Sequence, residues 1–539
     1  MGPAGREAAG RGLREPHEPP RAGTAARIPR RDLGNGDPVP LWLDDVREQG
    51  GTARGQPLRH GRRWQRAARR GRPARALGGR AGLQYRARVR LAVRGGLVVT
   101  ERETRRADVI VAGERIEAVL DPGAGAAEEE IAAHGLLVLP GVVDAHVHVN
   151  EPGRAEWEGW RAATRGAAAG GVTTVADMPL NSLPPTLDGA AFDAKRAFAE
   201  REAIVDFALW GGLVGDDPAP LRELRGRGVV GVKAFMCPSG VDEFAHLDPD
   251  ALEPALHAAA AAGLLVAVHA EDEDAVAHAT RELRAAGRRD PAAWEPSRPI
   301  PAEVRAIECL GRAARIGGAT VHVVHASNAG AVDAAARCRI AGARMTIETC
   351  PHYLTFDASD LGRIGPPLKC APPVRTSAER ERLWRSVREG AVDLVASDHS
   401  PCPRELKERG DIWDVWGGVA GVQFTLAALL TEGVHRRGLG ESALARLLAG
   451  APARLLGIAD RKGAIRAGLD ADLALVDPER EWTVTARELE ARNGVSAYLG
   501  RRFRGKVVRT IVRGRTVYRD GEVVADGGAA RFIAREGSS

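Results

Sequence analysis

No CxxC pair occurs in this chain. Its six cysteines, Cys237, Cys309, Cys338, Cys350, Cys370 and Cys402, stand singly. That spacing excludes a paired-thiol zinc framework and points to reduced thiols, hence to a cytoplasmic location. No run of about 20 apolar residues is present, so no membrane partner is expected. The first residues lack the apolar segment of a secretory signal. Lysine is absent from residues 1–84, and methionine is absent between Met1 and Met178. The Gly-Gly pairs at 170–171 and 417–418 lack the context of a phosphate loop.

The whole chain carries a net charge of +6, but residues 1–84 hold 18 Arg against 8 acidic residues, which leaves the remainder at −4. The basic character therefore belongs to a leader over residues 1–87. Its Gly, Pro and Arg content, without period 2 or 3.6, has a disordered composition. A basic arm for nucleic acid is one reading of it. Translated upstream sequence ahead of a non-ATG start near residues 85–95 is the preferred one. No nucleic-acid partner is expected.

Residues 88–140 change character to short β-type runs, VRLAVRGGLVVT, ADVIVAGERIEAVL and GLLVLPG, and a similar texture returns in 456–525. The two flanks are expected to build one small β-domain, with 526–539 as a tail. Between them, residues 141–455 alternate strand-like runs with Ala-rich helical stretches. This α/β alternation over about 300 residues fits a (β/α)8 TIM-type barrel, which spans about 250. Polar residues ending the strands of such a fold read as catalytic.

The strand ends carry a set of such residues. In VVDAHVHVN, His146 and His148 are separated by one residue, so a strand projects both from one face. Alone, such a pair is as often a satisfied core pair as a metal site. Lys233 lies inside the apolar run VVGVKAFM, where a charged ammonium is costly. A bland reading has it snorkel outward or pair with an acid. A functional reading has a neutral amine that has captured CO2, whose carbamate oxygens bridge two ions. His269 ends LLVAVHA, His325 ends TVHVVHAS, and Asp398 ends DLVASDHS. Six such residues over at least five candidate strands point to a metal site.

The set DAHVH, GVKAF, VHAED, VVHAS and ASDHSP resembles the cyclic amidohydrolases: dihydroorotases, hydantoinases and allantoinases. The resemblance covers roughly residues 90–520. It implies two divalent ions, zinc in most of the family, with Co2+, Mn2+ or Fe2+ compatible with such N/O donors. His146, His148 and Asp398 would hold the first ion, and His269 and His325 the second. Lys233, as N6-carboxylysine formed with CO2, would bridge them. A water shared by the ions would attack as hydroxide on the polarised amide, with Asp398 as general base and then acid. A homotetramer is implied as well.

Dihydroorotases usually carry Arg where Asn150 stands, to pair with a substrate carboxylate. Asn cannot supply that charge. The stretches NEPGRAEWEGW, ADMPLNSLPPT, CPSGVDEF, KCAPPVR and WGGVAGVQ are similar to those of allantoinases, which implies hydrolysis of allantoin to allantoate. Asn150, Asn181 and Ser239 are candidate contacts for an uncharged ring, with backbone groups of Cys370 and Ala371. Asn181 and Ser239 are equally good turn residues. The alternatives are a hydantoinase or dihydropyrimidinase, a dihydroorotase-like enzyme, or a non-catalytic scaffold on the same fold. His322, at an odd offset from His325, reads as a wall or supporting residue. His352 and His399 are near the site by sequence only.

Overall fold

The computed structural model describes residues 90–537, so the leader expected over 1–87 lies outside the described residues. Two β systems are present. The first is a nine-stranded sheet drawn from both ends of the described chain. Its N-terminal strands are β1 (Arg90–Val99), β2 (Thr104–Ala112), β3 (Arg115–Leu120), β4 (Glu129–Ala132) and β5 (Leu137–Pro140). The second system holds β6 (Val142–Val147), β7 (Val172–Asp177), β8 (Asp206–Leu209), β9 (Gly211–Gly212) and β10 (Val232–Phe235), then β11 (Leu265–His269), β12 (Thr320–Val323), β13 (Arg344–Thr349) and β14 (Leu394–Val395). The chain then returns to the first sheet with β15 (Leu473–Thr483), β16 (Arg502–Val512), β17 (Arg515–Arg519) and β18 (Glu522–Val523).

The flanks meet where β5 pairs antiparallel with β15, from Leu473 opposite Pro140 to Val476 opposite Leu137. Val93, Val109, Ile116, Leu475 and Ile511 share one apolar cluster, so residues nearly four hundred positions apart bury one another. The segment expected as a tail is anchored. Phe532 bridges Phe207, and the Ile533 amide donates to the Phe207 carbonyl at 2.8 Å.

All ladders of the second system are parallel: β6-β7-β8, and β9-β10-β11-β12-β13-β14. Only Trp210 separates β8 from β9, and the Trp210 amide donates to Asp177 at 3.0 Å. On the far side Val147 bridges His399 in parallel, so the pairing returns to β6. Buried positions fill most of these strands, which explains their near-continuous apolar runs. The intervening helices start on polar caps. Asp188, Asp248, Asp272 and Asn328 each accept a backbone N–H in the first turn, satisfying a donor the helix leaves open. Among the described residues no helix is long and apolar enough to cross a membrane.

Candidate metal centre

The C-terminal ends of these parallel strands converge: His146, Lys233 and His269 lie within strands, and His148, His325 and Asp398 follow one to three residues beyond a strand end. The imidazoles form a chain of contacts: His148 to His146 at 5.4 Å between centroids, His146 to His325 at 5.5 Å, and His325 to His269 at 4.6 Å. Asp398 Oδ1 lies 3.3 Å from His146 Nε2 and 3.6 Å from His148 Nε2. Lys233 is buried on β10, its Nζ 4.4 Å from the Phe235 ring centroid. Phe235 in turn stacks on His269 at 5.0 Å.

Local backbone geometry aims these groups. β12 ends at Val323, and His325 turns into the left-handed region with φ 42. The even-odd rule that set His322 opposite His325 therefore does not reach His325, because the strand has already ended. Asp398 (φ 43) and Asn150 (φ 68) adopt the same uncommon conformation. Such backbone in non-glycine residues clusters at functional sites.

The electrostatics fit a cation. Burial pushes His146 and His269 below the usual imidazole value and His325 well below it, which leaves neutral rings able to donate lone pairs. Burial lowers Lys233 to about 7, against the pull of Asp398 and Glu348. Burial alone would raise Asp398, but His146, His148 and His325 outweigh it and hold the carboxylate well below its ordinary value. His146 Nε2, His325 Nδ1 and Lys233 Nζ are buried without a hydrogen-bond partner. Orphaned donor atoms of this kind cost stability unless something else binds them. The donor set of imidazoles and one ionised carboxylate suits divalent ions. His146, His148 and Asp398 place their ligand atoms within 4.8 Å of one another.

A second layer holds the rings, and sequence reasoning missed it. Glu348, one turn of the pleat before the end of β13, pairs with His146 Nδ1 at 2.7 Å and His322 Nε2 at 3.0 Å. Those two histidines overcome the burial penalty and keep Glu348 ionised, down at about 2. Glu271 accepts from His269 Nε2 at 2.7 Å and is clamped by Arg298 at 2.6 Å. Cys237, His269 and Glu271 also lie close together, yet Arg298 already neutralises Glu271 there. Beneath the HxH segment, Asp177 accepts from the Val149 amide at 2.7 Å and from Lys195 Nζ at 2.7 Å. The only sequence signal is that Glu348 is the penultimate residue of its strand and Glu271 lies two residues after His269.

The predicted substrate contacts divide. Asn150 and Asn181 come together: Asn181 Nδ2 donates to Asn150 Oδ1 at 3.1 Å, and Asn150 Nδ2 donates to the Pro401 carbonyl at 3.3 Å. Both are buried, Asn150 just beyond β6 and Asn181 beyond β7, next to Leu180, whose carbonyl meets His148 Nδ1 at 2.8 Å. Ser239 does turn work instead, donating to the Phe244 carbonyl at 2.7 Å. The Cys370 carbonyl accepts from Trp294 Nε1 at 2.7 Å, which ties the Cys370–Ala371 loop in place. His399 Nδ1 accepts from the Gly421 amide at 3.2 Å, a supporting role. His352 is buried with neither ring nitrogen bonded.

Residues 137–517 match the Amidohydrolase family. The chain is 49% identical over 446 residues to an allantoinase of Rubrobacter xylanophilus, covering 82% of this chain and 97% of that protein. It is 46% identical over 436 residues to an allantoinase of Solibacter usitatus, covering 81% and 95%. Among solved structures it resembles the L-hydantoinase (dihydropyrimidinase) of Arthrobacter aurescens, with TM-score 0.81 and 32% identity over 83% of this chain and 100% of that one.

Proposed function

The chain belongs to the amidohydrolase family, and from that premise we propose that it opens the ring of allantoin by hydrolysis to allantoate. One observation carries the choice of substrate: the similarity to allantoinases runs over nearly their whole length. The carboxamide pair Asn150 and Asn181 supports it, because an uncharged ring bearing a urea arm is matched by amide-type donors and acceptors. The closing ring of parallel strands is read as a (β/α)8 barrel with the site at its C-terminal face.

In this reading His146, His148 and Asp398 would hold one ion, zinc in the first instance. His269 and His325 would hold a second, and Lys233, as its carbamate, would serve both. When bound, divalent ions lower the pKa of water and polarise an amide carbonyl. The residues do the rest. Asp398, ionised and steadied by Ser400 Oγ at 2.9 Å, takes a proton from the attacking water. The water oxygen bonds to the amide carbon, the ring C–N bond breaks, and the proton passes from Asp398 to the leaving nitrogen. Glu348 and Glu271 hold His146 and His269 in one tautomer each, and the opposite nitrogen of His146 stays unpartnered. A homotetramer belongs to the same reading and is checked by light scattering.

The test is turnover of allantoin, hydantoin, dihydrouracil and dihydroorotate on one sample whose metal content is measured. Allantoin is expected to give the highest kcat/KM. Preference for dihydrouracil would overturn the substrate, and absence of bound ion after preparation with zinc and bicarbonate would overturn the mechanism.

A further inference from the structure

His352 has no place in the chemistry derived so far, yet its situation is unusual. It is 1% exposed, and neither Nδ1 nor Nε2 has a hydrogen-bond partner. A buried polar group in that state is costly, so each such group in a native protein calls for an explanation. The topology says where that partner would be. His352 lies in the short helix Pro351–Thr355, which begins immediately beyond the end of β13. β13 pairs with β12 on one side and β14 on the other. Those neighbours lead into His325 and Asp398. The short helix thus begins beside the strand ends that lead to His325 and Asp398, and the charges of Asp398 and His146 reach the His352 ring.

Two contacts keep it there. Its ring packs edge-on against Tyr353 at 4.2 Å between centroids, and Tyr353 Oη donates to the Pro372 carbonyl at 2.7 Å. That bond fixes the short helix against the Cys370–Ala371 loop. Burial pushes the imidazole down to about 4, so the ring is neutral near pH 7. A neutral imidazole offers one N–H donor and one lone pair.

We propose that His352 is a substrate-contacting residue whose ring N–H donates a hydrogen bond to the scissile amide oxygen as that oxygen gains negative charge. A fixed donor in a water-poor site stabilises the tetrahedral oxyanion without reorganisation. The inference rests on the ring-hydrolysis reading above but not on which ring is preferred.

The experiment compares His352→Phe and His352→Gln with the wild type, in metal-loaded enzyme, on allantoin, hydantoin and dihydrouracil. Phe retains the packing against Tyr353 and removes the donor. Its kcat is expected to fall about 10²–10³-fold with KM little changed. Bound metal per chain should equal the wild type, and Tm should be no lower, because an unpaired polar ring has been removed. Gln keeps a donor and should retain much more activity than Phe. A Phe variant with wild-type kcat on every ring overturns the proposal. So does loss of metal, which would make His352 a support for the ions instead. A Tm that falls equally in both variants, with kcat falling in step, would overturn it as well. If the wild type itself prefers dihydrouracil, the substrate reading fails while a kcat loss on that ring still supports His352.

Discussion

Lys233 and Glu348 show how much single side chains are asked to do. Burial brings the Lys233 amine to about 7, so near neutrality a large share is free amine, the form that reacts with CO2. Below that value the ammonium dominates and capture weakens about tenfold per pH unit. Carbamate formation in apoprotein given 13C-bicarbonate and zinc should therefore rise as pH climbs through about 7, read from the carbamate carbon signal. Lys233→Ala should lose most activity, with partial rescue by short carboxylic acids; full activity without them would contradict a bridging lysine. Glu348 acts one step further back. It is shared by His146 and His322, so Glu348→Gln leaves shape intact but removes the negative charge that both rings face. Supporting carboxylates of this kind are worth about 10–100-fold in metal affinity or activity. A chelator titration should show metal released that much more readily, and wild-type retention would show that His146 needs no such support.

At the scale of elements, the strand ends were the legible part. The runs that end in His269 and Asp398 read directly as strands, because parallel strands buried on both faces are apolar almost throughout. The lysine inside VVGVKAFM was legible for the same reason: an isolated polar residue in such a run needs an explanation. What the sequence concealed is set by tertiary placement. Nothing in VVHAS announces that the strand stops at Val323 and that His325 turns left-handed. Nothing in SRPIP announces that Arg298 reaches back to Glu271. Segment 415–418 is a third case. Lys369 Nζ donates to the Val415 carbonyl at 2.6 Å, and Lys407 Nζ donates to Trp416 and Gly418 at 2.8 Å each. Both lysines are buried, and no pattern in the sequence foretold it. Gly418 is held at φ 127, where an added Cβ would collide with the Ser400 carbonyl. Ser400 in turn bonds Asp398. Gly418→Ala should cost about 1–3 kcal/mol from backbone conformation alone. It should also lower kcat by displacing Asp398; a fall in Tm with unchanged kcat would show that the segment and the site are uncoupled.

At the scale of the molecule, the question is what fastens the nine-stranded sheet to the parallel strands. Apolar packing contributes, but one polar knot joins them at the end opposite the metal centre. Lys462 is fully buried and bonds Asp206 of β8 at 2.6 Å and Asp472, just before β15, at 2.7 Å. Asp470 lies 3.1 Å from the same ammonium, and Arg513, just after β16, reaches Asp206 at 3.0 Å. Removing one partner from a buried ion cluster leaves uncompensated charge and costs about 3–5 kcal/mol. Lys462→Met should therefore lower the urea midpoint clearly at pH 8. The pH dependence distinguishes charge from packing. Burial pulls the Lys462 ammonium down, but Asp472, Asp206 and Asp470 outweigh it and hold its pKa above the ordinary value. The unfolded chain loses that proton near pH 10.4, while the folded chain keeps it to higher pH. The contribution is complete below about pH 10.4 and drains away as pH rises through the folded value. The gap between wild type and Lys462→Met should thus narrow above that point. A gap that stays constant into strong alkali would mean that Lys462 fastens the two β systems by its volume and not by its charge.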